Sequence, residues 1–282
     1  MDVPAEGNDE QARLWNGPSG RAWVENQELL DRMYEPFERL IVEIASAKPR
    51  RAVLDVGCGA GATTLAVARG SGAPYVQGVD ISELLIAVAR ARAERERTPA
   101  TFICANAQTY SFEPATFDLI VSRFGVMFFD DPVEAFANLR HATRDGGELR
   151  VIPWRSAAEN PFMTTAERAA APLLPNLPPR RQNAPGQFAL ADDRAMHAIL
   201  EASGWSEIDI RPIDVTCRMP ATDLARHVTR LGPVGQALQD VDAETRARVT
   251  ETVLAAFVPF VHREEVRFTA ACWMVEARRR RG

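Results

Sequence analysis

The residues best placed to do chemistry lie in one stretch, Val53–Leu54–Asp55–Val56–Gly57–Cys58–Gly59–Ala60–Gly61. An apolar run carrying one acid gives way to three glycines, Gly57, Gly59 and Gly61, at every second position. A helical pattern, Thr63–Arg69, follows at once. The order reads as strand, glycine turn, helix start. Glycine lets a backbone turn tightly and approach a ligand closely. The helix behind it offers unpaired N–H groups and a partial positive charge. One glycine suffices for a turn, so three at fixed offsets point to cradling of a nucleotide-type cofactor where an α/β domain opens. A purely structural turn is the plain alternative.

A second acid extends the pattern. Asp80 ends the run Tyr75–Val79, and an acid about 20 residues past such glycines accepts ribose hydroxyls. Gly57, Gly59 and Ala62 fit the fingerprint G-x-G-x-x-G/A. By geometry alone, NAD and S-adenosylmethionine (SAM) are served equally well.

Three ordered motifs separate the two. Asp55-x-Gly57-x-Gly59, then Gly78–Val79–Asp80–Ile81–Ser82, then Phe117–Asp118–Leu119–Ile120–Val121–Ser122 resemble the class I SAM-dependent methyltransferases over roughly residues 50–155. More loosely, the whole chain resembles their ubiquinone/menaquinone-biosynthesis-like branch. The resemblance implies SAM as cofactor and in-line methyl transfer to a small-molecule acceptor that is secondary-metabolite, quinone-like or lipid-like. It implies that Gly57, Cys58 and Gly59, in the loop that ends at Gly61, set backbone against the methionine part of SAM. Asp55 is the acid nearest in sequence for its ammonium, with bonding to the loop backbone the more favoured task. Asp80 would take the ribose hydroxyls and Ile81 the adenine. Asn106 and Ala107 stand where the family has Asp and a small residue at the adenine amino group. An amide oxygen still accepts there, without the charge. Gln108 is a neighbouring candidate. Ser122, Arg123 and Phe124 follow the fourth strand, at the boundary of cofactor and substrate. Two other readings remain in view: an NAD(P)-dependent oxidoreductase, and a non-catalytic methyltransferase-fold scaffold.

These residues need a frame. Strands Arg51–Val56, Tyr75–Val79, Thr101–Cys104, Phe117–Ser122 and Glu148–Pro153 alternate with helices Thr63–Arg69, Ser82–Arg97 and Pro132–Ala142. That alternation implies βαβ units and a parallel sheet with ligand at the carboxyl ends of its strands. Helix Asp192–Ser203 and strand Trp205–Val215 continue the core. Pairing of the last strand, Glu265–Ala277, with Trp205–Val215 predicts an antiparallel edge. The expected fold is α/β: a Rossmann-like doubly wound sheet, mostly parallel with an antiparallel last strand, plus N-terminal helices and helical caps. The divisions are 1–48 (N-terminal helical lid), 49–153 (SAM-binding core), 154–190 (cap), 191–216 (core continued), 217–264 (second cap) and 265–282 (last strand and basic tail). Residues 1–9 read as a frayed end. Glu10–Ala47 reads as two helices broken at Asn16–Gly20, with Pro36 a kink or a new first turn. Trp15, Trp23 and Tyr34 are candidates to wall the site, since an aromatic face attracts a sulfonium cation. Core packing is the alternative for each. Seven prolines from Pro153 to Pro185, with apolar clusters between them, suit a packed cap rather than a linker. Among the histidines His141, His197, His227 and His262, His227 in the second cap is the best-placed general base. A packed or solvated ring is its plain alternative. Arg123 is the candidate to orient an anionic acceptor.

Composition bounds the partners. The 282 residues carry 46% hydrophobic and 25% charged content, ordinary for a globular protein. The net charge of −5 disfavours a nucleic-acid footprint, and Arg278–Arg281 reads as a solvated chain end. Four scattered cysteines without a C-x-x-C pair argue against a disulfide framework or a zinc site, so no metal is expected. An acidic N-terminus and the lack of a spanning apolar run fit a cytoplasmic protein without a membrane span. A homodimer is compatible with the sequence.

Overall fold

In the computed structural model, residues 6–178, 180 and 184–280 are described. Three helices come first: α1 (Glu6–Asn16), α2 (Pro18–Glu25) and α3 (Gln27–Ser46). The predicted pair of helices is thus three, with breaks at Gly17 and Asn26, and α3 runs through Pro36 without ending there. Its buried face, Leu29, Leu30, Met33, Tyr34, Phe37, Ile41 and Ala45, packs so fully that the missing amide of one proline does not stop the helix. Residues 1–5, most of the expected frayed end, lie outside the described residues.

The alternating part follows as β1 (Ala52–Val56), α4 (Ala62–Gly70), β2 (Tyr75–Asp80), α5 (Glu83–Glu96), β3 (Thr101–Cys104), β4 (Phe117–Arg123), α6 (Pro132–Ala142) and β5 (Thr143–Ile152). All residues of β1 are buried, as expected for a strand covered on both faces. Ser82 caps α5, its Oγ accepting from Leu85 N at 3.3 Å. Asp131 caps α6, accepting from Glu134 N at 2.9 Å, with Pro132 in the first turn.

The chain then passes through α7 (Pro161–Ala170), α8 (Asp193–Ala202), β6 (Ser206–Pro220), α9 (Leu224–Arg230), α10 (Gly232–Ala237), α11 (Ala243–Ala256), β7 (Val261–His262) and β8 (Glu265–Arg278). The sheet order is β3-β2-β1-β4-β5-β8-β6, with β7 paired to β8. The last strand is antiparallel, but it is not the edge. It slots between β5 and β6 and pairs antiparallel with both, leaving β6 outermost. Its partner β6 runs to Pro220, five residues past the expected end, because register pairing continues from Ile213–Cys272 to Pro220–Glu265. The basic tail is also not simply solvated. Arg279 donates to the carbonyls of Arg140, His141 and Thr143 and pairs with Asp145. Arg281 lies outside the described residues. No helix among the described residues is long and apolar enough to cross a membrane.

Strand order reverses between β1 and β4, and parallel sheets bind ligands beyond the carboxyl ends of their strands at that point. The loops after β1, β2 and β4 meet there.

Candidate active site

A cavity of about 500 Å³ opens at this switch point. Its floor is Gly57, Cys58, Gly59, Asp80 and Ile81. The loops after β3 and β4 supply Asn106, Ala107, Arg123 and Phe124. Trp15 and Trp23 from α1 and α2 form one wall, and His227 from α9 reaches it from the second cap. Of the residues expected from sequence, Asp55, Gly61, Gln108 and Ser122 do not line it.

The glycine loop is built differently from an anion cradle. Gly57 N and Cys58 N both donate to Val79 O, at 2.8 and 3.1 Å. Gly59 N donates to Asp80 Oδ2 at 2.8 Å. The first three amides of the loop are therefore spent inside the protein. Buried Asp55 accepts from Thr64 Oγ1 at 2.6 Å and from the Thr64 backbone, so an internal carboxylate already sits at the N-terminus of α4. Burial pushes its pKa up to about 7, against the opposing pull of the Thr64 bonds and Arg123. A pyrophosphate would find no donors in these amides, whereas a cationic sulfonium or ammonium needs none. These three amides thus suit the cationic centre of SAM better than a dinucleotide's pyrophosphate.

The three glycines also have different reasons to be glycine. A Cβ on Gly57 would meet Gly125 Cα at 2.5 Å, and one on Gly61 would meet Ala89 and Phe102 at 3.0 and 3.1 Å. Only Gly59 (φ +53°) has nothing within 4 Å, because its open side is the cavity. Gly125, which the sequence reading missed, is required by the backbone of Gly57. Ser122 holds the pair together: its Oγ donates to Val56 O at 2.7 Å and accepts from Gly125 N at 3.1 Å. A serine three residues before a glycine, at the end of a buried strand, was the available signal.

Asp80 Oδ1 accepts from Ser82 N at 2.9 Å. Burial raises its pKa, and the N–H bonds of Ser82 and Gly59 oppose the rise. Gln108 instead braces the loop: its Nε2 donates to Glu134 at 2.5 Å and its Oε1 accepts from Asp131 N at 3.1 Å. Asn106 Oδ1 accepts from Gln108 N at 2.9 Å, an Asx-type turn that shapes the loop after β3. Asp31 on α3, also missed from sequence, lines the cavity, accepts from Gln27 and pairs with Arg92 at 2.9 Å. Arg92 in turn donates to Ala60 O at 2.8 Å, tying α3 and α5 to the glycine loop.

The far half of the cavity is aromatic. Phe124, held at φ 67°, stacks on Trp154 at 4.6 Å, and Tyr34 meets Phe124 edge-on at 5.3 Å. Phe162 lies 5.6 Å from the His227 ring. His227 Nδ1 is buried without a hydrogen-bond partner, and burial lowers the pKa of the ring to about 4. Arg123 stands over the Tyr34 ring at 5.6 Å, with Nη1 buried and unpartnered.

Comparison with known proteins agrees with the fold. Residues 53–147 match the family described as Methyltransferase domain. The chain is 30% identical to an aklanonic acid methyltransferase of Streptomyces sp. strain C5 over 167 residues, 56% of this chain and 76% of that protein. It is 25% identical to a demethylmenaquinone methyltransferase of Renibacterium salmoninarum over 216 residues, 73% of this chain and 88% of the relative. Among solved structures, Haemonchus contortus phosphoethanolamine N-methyltransferase 2 superposes with a TM-score of 0.60 at 17% identity, covering 100% of this chain and 62% of that one. The chain belongs to the class I SAM-dependent methyltransferases, enzymes with a Rossmann-like sheet and SAM as cofactor.

Proposed function

We propose that this enzyme methylates a small, largely apolar acceptor held between the sheet and three helical covers, formed by α1–α3, by α7 and by α9–α11. The observation that carries the reading is one continuous cavity. It joins the Gly59–Asp80 floor to an aromatic chamber, and residues from the N-terminal helices and both caps line it. A concave, largely apolar pocket walled by several elements suits a small acceptor rather than a macromolecule, and the names of the two sequence relatives point the same way.

SAM supplies a methyl group on a positively charged sulfur, open to in-line attack by a nucleophile. In this reading Asp80 receives the ribose hydroxyls, Ile81 and Ala107 flank the adenine with Asn106, and Gly59 lets the methionine part lie against backbone. Trp15 and Trp23 face the cationic end. The apolar walls supplied by the caps keep part of the pocket poor in water, which strengthens polar contacts made against them. His227, neutral above pH about 4, is a weak base that serves as a hydrogen-bonding partner for the acceptor. The unpaired cysteines fit a reducing, cytoplasmic setting.

Calorimetry with SAM, S-adenosylhomocysteine and NAD tests the reading. Binding of the first two and none of NAD is expected. The Asp80→Ala variant should bind SAM roughly 10–100-fold more weakly, the loss of charge-assisted hydrogen bonds. Binding of NAD alone would overturn the assignment.

A further inference from the structure

Arg123 is the feature of the cavity that floor and cover leave unexplained. It ends β4 and lies two residues before Gly125, the glycine packed on the cofactor loop. It therefore stands where the cofactor half meets the aromatic half. Its guanidinium makes no hydrogen bond or ion pair among the described residues, and Nη1 is buried without a partner. The groups whose charge it feels come from three elements: Tyr34 and Glu38 of α3, Asp55 of β1 and Cys217 of β6. None of them neutralises it by contact. Asp55 is committed to Thr64, and burial raises the pKa of Glu38 and of the Tyr34 and Cys217 side chains, favouring their neutral forms. A guanidinium held this way in an apolar chamber is costly, and a bound anion relieves that cost.

We propose that Arg123 is the counter-ion of the methyl acceptor, which binds as a flat aromatic acid with its ionised oxygen on the guanidinium and its rings against Tyr34, Phe124, Trp154 and Phe162. This rests on the methyltransferase reading above and adds the acceptor's charge and shape. Aromatic faces accept planar rings by stacking and edge contact. The planar fork of arginine matches a carboxylate or an acidic enolate. A cationic amine would meet like charge at Arg123. The chemistry balances without a protein base. The acceptor's oxygen anion supplies the electron pair of the new O–CH3 bond, the pair of the broken C–S bond returns to sulfur, and no proton moves. The neutral His227 then only orients the acid through its unpaired Nδ1.

The test is acceptor-side binding to the protein saturated with S-adenosylhomocysteine, by calorimetry at pH 7.5. The probes are benzoate, 3-hydroxy-2-naphthoate and anthraquinone-2-carboxylate, each beside its uncharged primary amide. At least one polycyclic acid is expected to bind roughly 10–100-fold tighter than its amide, the range of a charge-assisted bond to a buried partner. Arg123→Gln should abolish that preference and Arg123→Lys should keep part of it. Both variants should retain wild-type affinity for S-adenosylhomocysteine, which also reports that they fold. A panel in which no acid exceeds its amide overturns the proposal. So does an Arg123→Gln protein that loses S-adenosylhomocysteine instead, since Arg123 would then belong to the cofactor. Failure of the wild type to bind S-adenosylhomocysteine at all would strike the methyltransferase reading itself.

Discussion

Gly57 and Gly59 share left-handed backbone, φ +67° and +53°, yet they face different neighbours. An alanine at 57 drives its Cβ into Gly125 backbone, which cannot yield without moving β4. An alanine at 59 enters open cavity. Both pay about 1 kcal/mol for the left-handed conformation. Gly57→Ala adds an overpacking cost of about 1–3 kcal/mol. Gly57→Ala should therefore lower the melting temperature markedly. Gly59→Ala should melt close to wild type and lose about tenfold or more in SAM affinity, as a methyl group occupies ligand space. Thermal melts beside calorimetry separate the two effects. Equal losses of stability in both variants would show that the loop is only a turn. The sequence pattern made these glycines look alike, because their spacing is local and visible whereas the backbone opposite Gly57 belongs to residue 125. The same limit hid Asp31 and left the partner of Asp55 unnamed, although a task inside the protein was the favoured one. Nothing in the order of residues says that its carboxylate turns to Thr64.

At the scale of elements, the N-terminal helices are held by few bonds. Asn16 Nδ2 donates to Ile81 O at 3.1 Å and Asn16 Oδ1 accepts from Glu83 N at 2.8 Å. One amide thus fastens α1 to the segment after Asp80. Ser82 Oγ donates to Trp15 O at 2.7 Å, and Gln236 Nε2 of α10 donates to Ser19 at 2.6 Å. Trp15 packs edge-on against Trp23 and Phe128 at 5.7 and 5.2 Å. Asn16→Ala removes these two exposed hydrogen bonds and a third, from Nδ2 to Ala12 O at 2.9 Å within α1, about 1 kcal/mol together in this setting. Residues 10–25 should exchange their amide hydrogens faster, and SAM affinity should fall by roughly fivefold. The sheet should keep its protection. Unchanged exchange in α1 and α2 would mean that aromatic packing alone holds the lid. The alternating strands and helices of the core were legible because each βα unit is local in sequence and its apolar periods are strong. The place of β8 was not, since insertion between β5 and β6 is decided by pairing with residues 45 or more positions earlier in the chain. The number of N-terminal helices was missed for a smaller reason. Asn26 interrupts the chain without Gly or Pro, its side chain donating to Ala22 O at 2.7 Å.

Across the whole molecule, two buried carboxylates at opposite ends of the sheet set opposing limbs of stability against pH. Glu148, fully buried at the end away from the cavity, is surrounded by Lys48, Arg50 at 2.6 Å, Arg278 at 3.1 Å and Arg150 at 3.4 Å. Burial alone would raise its pKa, but the hydrogen bonds and charges of Lys48, Arg50 and Arg150 hold it down to about 2. A depressed acid stabilises the fold above its ordinary value of 4.5, and that contribution drains away as pH falls toward 2. Its size is about 3 kcal/mol. Asp55 behaves in the opposite sense. With its pKa raised from 3.8 to about 7, it favours the fold while protonated. That advantage, about 4 kcal/mol at full amplitude, is lost as pH rises from about 4 to 7. Melting temperature measured from pH 3 to pH 8 should therefore climb on an acid limb and decline on a neutral one. Glu148→Gln should lower stability at pH 7 by about 3 kcal/mol, because it leaves clustered cations unpaired, and should converge on wild type near the acid end. Asp55→Asn keeps the acceptor for Thr64 and should flatten the neutral limb while leaving the acid limb in place. A Glu148→Gln curve that runs parallel to wild type at every pH would rule out Glu148 as the source of the acid limb. The bridge of cations would then be held by the sheet rather than holding it.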